Sequence, residues 1–269
     1  NVLHGLTTGT RNIAIGLGAL DVQDTENDNL AIGYEALGGS IAGGEYNVAI
    51  GNYSLETNTS GDENVAVGYN ALNANTTGKE NTAIGSQTLK ANTTGNYNTA
   101  TGLQSLYANT TGSSNTATGI FSLNANTTGD KNTATGYSLY ANTTGSNNVG
   151  MGYDALAANT TGIRNIAIGN GALDAPDTEN DNLAIGHDAL GGSIAGGENN
   201  VALGNFVLDA NTSGDDNIGI GYNSLTANTT GTVNVAIGTQ ALDVNTTGGS
   251  NTAVGYSALG ANVSSSYNT

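Results

Sequence analysis

The chain has 269 residues, of which 41 are Gly and one is Pro, with no Cys or Trp and only 10 % charged residues. So few large side chains cannot fill a thick core, and the absence of Cys excludes disulfides and Cys-ligated zinc. The net charge of −17, with five basic residues, argues against binding to nucleic acid or to an anionic membrane. No apolar run is long enough to span a membrane.

A five-residue motif, Asn-x-Ala-x-Gly, recurs along the chain, with Gly sometimes in place of Ala. Its copies are spaced by seventeen residues, with two spacings of eighteen and one of sixteen. A Leu follows each copy, and most copies continue into Asn-Thr-Thr-Gly or Asn-Thr-Ser-Gly. The motif asparagines are Asn12, Asn29, Asn47, Asn64, Asn81, Asn98, Asn115, Asn132, Asn148, Asn165, Asn182, Asn200, Asn217, Asn234 and Asn251.

A longer repeat of 153 residues, equal to nine short repeats, overlies the short one. The segment from Arg11 returns from Arg164, so the long repeat covers 11–163 and begins again over 164–269. Both eighteen-residue copies gain their extra residue within GGSIAGGE, which indicates an exposed loop. We expect 1–269 to be one continuous repeat domain and a window of a longer fibre.

The motif itself has the pattern of a β-strand. In Ile13-Ala14-Ile15 and Val235-Ala236-Ile237, β-branched residues flank a small one with a period of two, which places Ile and Val on one face and Ala on the other. The density of Gly and Thr argues against helix. A strand of five residues, a turn, a short second strand around the Leu and another turn complete a coil. The predicted fold is an all-β parallel β-solenoid, or β-roll, of about fifteen coils of seventeen residues.

In such a fold each motif Asn lies above the Asn of the preceding coil. Side-chain amides stacked in this way can form a hydrogen-bonded ladder beside the backbone ladder. We therefore assign the fifteen motif asparagines a structural role rather than a catalytic one.

The strand motif resembles the head repeat of trimeric autotransporter adhesins, the YadA-like heads, best at 165–169 and 234–238. The line NTAIGSQTLKANTTG from Asn81 is similar to repeats of bacterial surface proteins and of phage tail-fibre-like proteins. The resemblance extends over essentially the whole chain, although the period in the adhesin heads is commonly fourteen. It implies a left-handed β-roll that assembles as a homotrimer.

The sequence leaves two orientations open for the Ile and Val columns. If the Ala and Leu columns fill the thin interior, Ile and Val point outward and require cover from other chains. If Ile and Val point inward, a monomer is viable.

Two acidic segments offer alternating carboxylates, the arrangement that calcium prefers when it takes six to eight oxygen ligands. A solvated acidic turn without metal is the other interpretation, and we expect no other cofactor. The candidate calcium ligands are Asp21, Asp24, Glu26 and Asp28 in the first segment, and Asp174, Asp177, Glu179 and Asp181 in the second.

Three successive copies carry Thr at both strand positions that hold β-branched apolar residues elsewhere: Thr99 and Thr101, Thr116 and Thr118, and Thr133 and Thr135. Flat threonine arrays of this kind are found on ice-binding solenoids, and the alternative is a polar stretch of an otherwise apolar column.

The Asn-Thr-Thr groups, for example at Asn92 and Asn126, are N-glycosylation sequons and also ordinary turn chemistry. His4 and His187 are the only histidines, and His187 stands in a column that elsewhere holds Tyr. The repeat provides no nucleophile and base around them, so we expect no enzymatic activity.

These observations predict a structural or adhesive extracellular fibre on a cell surface, which binds copies of itself and a host or matrix receptor. The alternative is the shaft of a phage or virus tail fibre, and ice binding is a minor alternative.

Overall fold

The computed structural model describes residues 8–21, 25–39, 44–175, 178–192 and 197–269. These residues form fifteen strands of three residues each and no helix. The strands are β1 (Ile13–Ile15), β2 (Leu30–Ile32), β3 (Val48–Ile50), β4 (Val65–Val67), β5 (Thr82–Ile84), β6 (Thr99–Thr101), β7 (Thr116–Thr118), β8 (Thr133–Thr135), β9 (Val149–Met151), β10 (Ile166–Ile168), β11 (Leu183–Ile185), β12 (Val201–Leu203), β13 (Ile218–Ile220), β14 (Val235–Ile237) and β15 (Thr252–Val254).

The chain divides into two compact units, Asn1–Ala134 and Thr135–Thr269. In the first unit β1 to β7 pair in chain order, and in the second unit β9 to β15 do the same. Every pair is parallel and joins equivalent positions of successive coils, as Ala14 joins Ala31. Each unit is therefore a parallel β-solenoid, which confirms the predicted fold class.

The core is thin and consists of small residues and one leucine per coil. The central strand residue, Ala or Gly, faces inward, and Ala100 and Ala117 have no exposed surface. The motif leucines from Leu20 to Leu242 are also buried, as Leu106 and Leu123 illustrate. The outward orientation of Ile and Val, which the sequence left open, follows because this Ala and Leu core leaves no room for them.

The second strand predicted around each Leu is wrong. The leucines lie in turns and have left-handed backbone conformations, with φ between 46° and 54°. This conformation turns the side chain into the core while the amide still bonds to the next coil, as Leu106 N donates to Ser122 O at 3.0 Å. A left-handed conformation costs about 1–2 kcal/mol in a non-Gly residue, and burying a Leu side chain contributes about 1.5–3 kcal/mol.

Two further positions in each coil have positive φ, and so does the residue two before the Leu in most coils, such as Gln104 with φ of 53°. The Gly that ends the strand motif has φ between 89° and 142°, as predicted for the strand exit. A Cβ on Gly85 would lie 2.6 Å from the carbonyl oxygen of Gly102, so only glycine fits in this column. The residue before each motif Asn is left-handed but not glycine, and Val233, with φ of 58°, is the β-branched example.

Candidate functional site

The motif asparagines from Asn29 to Asn251 are buried and use both ends of their amides. Asn98 Nδ2 donates to Gly112 O at 2.9 Å and to Asn81 Oδ1 at 3.1 Å. Asn98 Oδ1 accepts from the backbone N of Asn115 at 3.0 Å and from its Nδ2 at 3.2 Å. Each amide thus ties its own strand to a turn of the same coil and to both neighbouring coils. This is the arrangement of a structural ladder.

A second asparagine ladder, not predicted from the sequence, runs through the Asn-Thr-Thr-Gly turns. Asn92 Nδ2 donates to Gly95 O at 3.0 Å and to Asn75 Oδ1 at 2.8 Å, and Asn92 is fully buried. Asn126 is also fully buried and donates to Asn109 Oδ1 at 2.8 Å. The nitrogen that would carry an N-glycan is therefore enclosed at both sequons, which favours turn chemistry at these asparagines.

The acidic segments contain one buried glutamate each. Glu26 and Glu179 occupy the column that holds Gly in most coils, and they are only 1 % and 4 % exposed. In each case an Oε2 atom accepts the preceding backbone N–H at 3.0 Å. The sequence of these two coils has Gln23 and Pro176 where the second ladder has Asn, so both the Asn and the Gly of the usual turn are replaced here.

Two of the aspartates are bound to arginines of the preceding coil. Arg11 donates from Nε and one terminal nitrogen to the two carboxylate oxygens of Asp28, and Arg164 does the same to Asp181. The hydrogen bonds from these guanidinium groups lower the pKa of both carboxyls. The bidentate geometry occupies the oxygens that a metal would need.

The other aspartates that the structure describes in the two segments, Asp21 and Asp174, do not complete a site. Asp21 and Asp174 each have one buried Oδ1 without a hydrogen-bond partner. Burial raises the pKa of Asp174, and the nearby charge of Asp188 raises it further. Asp24 and Asp177 lie outside the described residues. Within the described ranges, no three acidic or histidine side chains are grouped so that they could hold a metal ion.

The outward residues of the strands form a largely apolar surface in each unit, which we call the strand face. It consists of the first and last residue of every strand. Ile13 and Ile15 of β1 are 55 % and 59 % exposed, and Ile166 and Ile168 of β10 are 37 % and 36 % exposed. None of the first and last residues of the fifteen strands is charged, although the chain carries 27 charged residues elsewhere. A solvated sheet surface normally carries charges, so this surface is suited to contact with protein.

Threonines interrupt the strand face. In the first unit β6 and β7 pair in register, so that Thr99 lies beside Thr116 and Thr101 beside Thr118. We call these four residues the threonine patch. Among the described residues their hydroxyls have no hydrogen-bond partner, whereas the hydroxyl of Thr93 in the turn donates to Thr110 O at 3.0 Å. The third pair, Thr133 and Thr135, belongs to β8, which contains the boundary between the units.

Aromatic side chains form short rows beside the strand face at equivalent places of the long repeat. Their members are Tyr34, Tyr53 and Tyr69 in the first unit, and His187, Phe206 and Tyr222 in the second. His187 packs against Phe206 with ring centroids 5.2 Å apart, and its Nδ1 lies 2.9 Å from an oxygen of Asp188. These contacts give His187 a packing role in the Tyr column, and His4 lies outside the described residues.

The described residues contain no pocket and no helix with the length and apolar character needed to cross a membrane. No family model matches the chain. No curated protein matches it either.

Proposed function

We propose that this chain is a structural segment of an extracellular fibre and that copies of it associate through the strand face. The observation that carries the proposal is the absence of charge from an exposed and largely apolar sheet surface on a chain of net charge −17. Acidic copies repel each other wherever their charged surfaces meet. The strand face is where two copies can approach without that repulsion.

The magnitude of the apolar contribution supports a repeated interface. Strands β1 to β5 present nine aliphatic side chains on the strand face. Fully burying one such side chain contributes about 1.5–3 kcal/mol, so a half-exposed one contributes about 1 kcal/mol. Only Ile13, Ile15 and Ile84 of the nine are exposed to that extent, so five coils contribute less than roughly 9 kcal/mol per copy. Association costs about 4–15 kcal/mol, so many coils must be buried together to give a stable assembly.

The resemblance to adhesin heads makes a left-handed homotrimer the assembly we propose. A fibre of this kind serves adhesion at a cell surface through a host or matrix receptor, or it serves as the shaft of a virus tail fibre. Both uses depend on the same association of copies.

The association is tested by charging the strand face in the second unit. We expect the double variant Ile168→Asp and Ile237→Asp to be a folded monomer, because both side chains are already more than one third exposed but would be buried between copies. The control is Ile163→Asp with Val233→Asp, which adds the same charge in columns where Asp stands in other coils, as at Asp215 and Asp216. Sedimentation equilibrium gives the mass of each variant.

An assembly in which the control dissociates as readily as the strand-face variant would contradict the proposal. So would a wild-type chain that sediments as a monomer at high concentration.

Ice binding is the second candidate function, and the threonine patch is the observation that favours it. Its hydroxyls lie in register on neighbouring strands and have no partner within the described chain. Thermal hysteresis of the purified protein is the measurement, and its absence at millimolar concentration removes this candidate.

A further inference from the structure

The strand face has a pattern along its length in addition to its apolar character. We call the two outward residues of one strand a rung. In the first unit the rungs of β1 to β4 are entirely aliphatic, and the rung of β5 combines Thr82 with Ile84. The rungs of β6 and β7 are the threonine patch. The change from aliphatic to hydroxyl side chains is therefore confined to neighbouring strands.

A second copy of the chain is the occupant that fits this face. Its own strand face has the same rung spacing of about 4.8 Å and also carries no charge. When two copies lie side by side in register, each aliphatic rung meets an aliphatic rung and each threonine rung meets a threonine rung. The nine aliphatic side chains of β1 to β5 are then buried together, while the threonine hydroxyls can bond to one another.

An apolar face without the threonines would leave the axial position of the partner poorly defined. Ile and Val rungs are nearly interchangeable, so a displacement by one rung would bury almost the same surface. Pairing is prone to slip wherever a face lacks such distinguishing positions. In coiled coils, a single polar residue in an apolar seam fixes the alignment of the chains, because any other alignment buries it against aliphatic side chains.

We propose that the threonine patch fixes the axial register in which copies of this chain associate. This inference depends on the proposed association through the strand face. A displacement by one rung places Thr101 opposite Ile84 of the other copy. A displacement by two rungs places Thr99 and Thr101 opposite the valine rung of β4. Each hydroxyl buried without a partner disfavours the displaced register by roughly tenfold.

The test replaces the four residues of the patch with valine, which keeps the β-branched shape and removes the hydroxyl. Methyl NMR of isotopically labelled isoleucines reports the register, because the shift of an Ile84 or Ile50 methyl depends on the rung that faces it. We expect one resonance per strand-face isoleucine in the unchanged protein. In the valine variant we expect several resonances of comparable intensity, with the oligomer mass unchanged.

Two controls separate register from other effects. Ile120 lies outside the strand face and is 56 % exposed, so its methyl should remain a single resonance in every variant. A second variant carries the same four changes on the turn surface of nearby coils, where the side chains are exposed and their loss leaves the strand face intact. Its substitutions are Thr77→Val, Thr94→Val, Thr111→Val and Thr128→Val. We expect this variant to keep the single resonances of the unchanged protein.

The outcomes distinguish the inference from the proposal on which it rests. Single strand-face resonances in the valine variant, at unchanged oligomer mass, overturn the role of the threonine patch and leave the association standing. A monomeric mass for the unchanged protein overturns both. If the fourfold variant does not fold, the pair Thr99→Val and Thr101→Val is used, and a second resonance for Ile84 at the mass of the unchanged oligomer is the expected result.

Discussion

The asparagine ladder makes a sharp prediction for Asn98→Asp, an almost isosteric change. The new carboxyl keeps the oxygen that accepts from Asn115, but its second oxygen replaces the Nδ2 that donates to Gly112 O and Asn81 Oδ1. The new carboxylate oxygen then faces two other acceptors, Gly112 O and Asn81 Oδ1, in a site with no exposed surface. The protonated carboxyl can donate one of the two lost hydrogen bonds, whereas the ionised carboxyl can donate neither.

The size of the destabilisation follows from the burial of the new carboxyl. We expect the folded protein to raise the pKa of the new carboxyl past neutral pH, from an ordinary value of about 3.9. A raised pKa means that stability is retained below the ordinary value and is lost as pH rises, by about 1.4 kcal/mol per pH unit. Between pH 4 and pH 7 the loss is about 4 kcal/mol. The missing second hydrogen bond costs about 1 kcal/mol more at every pH.

The assay is urea unfolding at pH 4, 5.5 and 7, with Asn96→Asp as the matched control. Asn96 lies two residues away and is half-buried, and its Oδ1 accepts from the backbone N of Lys79 at 2.8 Å. An aspartate at position 96 keeps that hydrogen bond. Subtracting the free energies of unfolding of the two variants cancels the pH dependence of the other acidic residues. A difference below about 1 kcal/mol at pH 7 would refute the reasoning. A difference that does not grow from pH 4 to pH 7 would refute it equally.

Three further predictions concern backbone conformation and charge. Leu123→Ala should lower the free energy of unfolding by about 2–5 kcal/mol, because the side chain is fully buried. Leu123→Gly should lower it by about 1 kcal/mol less, because glycine adopts a φ of 50° without strain; a lower melting temperature for the Gly variant than for the Ala variant contradicts this order. Val233→Asn should stabilise by about 1 kcal/mol, since Val233 is 52 % exposed at φ of 58°; an unchanged melting temperature would contradict the strain. Burial raises the pKa of Asp174 and of Asp209, and the charge of Asp188 raises both further. Asp188→Asn should therefore lower these two pKa values and make the variant more stable relative to wild type as pH rises; unmoved carbon-13 carboxyl titrations would count against the coupling.

The repeat period and the alternation of side chains predicted the strand and the parallel stacking, because both depend on geometry that every coil shares. The left-handed leucines could not be predicted in this way. Leu has no intrinsic preference for positive φ, and only the packing of Leu106 or Leu123 against the core selects it. Glu26 was predicted as a calcium ligand for a related reason. An acidic residue in a polar segment gives no sign in the sequence that its side chain will be buried.

The second ladder was missed because Asn-Thr-Thr-Gly is sufficient as a turn by itself. Its extra hydrogen bonds, such as Asn92 to Asn75, exist only between coils. The outward orientation of the Ile and Val side chains could not be predicted either, since the residue pattern was compatible with an outward and with an inward orientation.

The hydrogen bonds of the motif asparagines all run in the same sense. Each Oδ1 accepts from the coil that follows it in the chain, as Asn98 does from Asn115, and in many coils Nδ2 donates to the coil before it, as in Asn98 to Asn81. A finished coil consequently offers a prepared acceptor to the next segment of chain, whereas its opposite edge offers donors. Folding that begins at the amino-terminal side can extend by templating, one coil at a time, at the rate at which new chain becomes available.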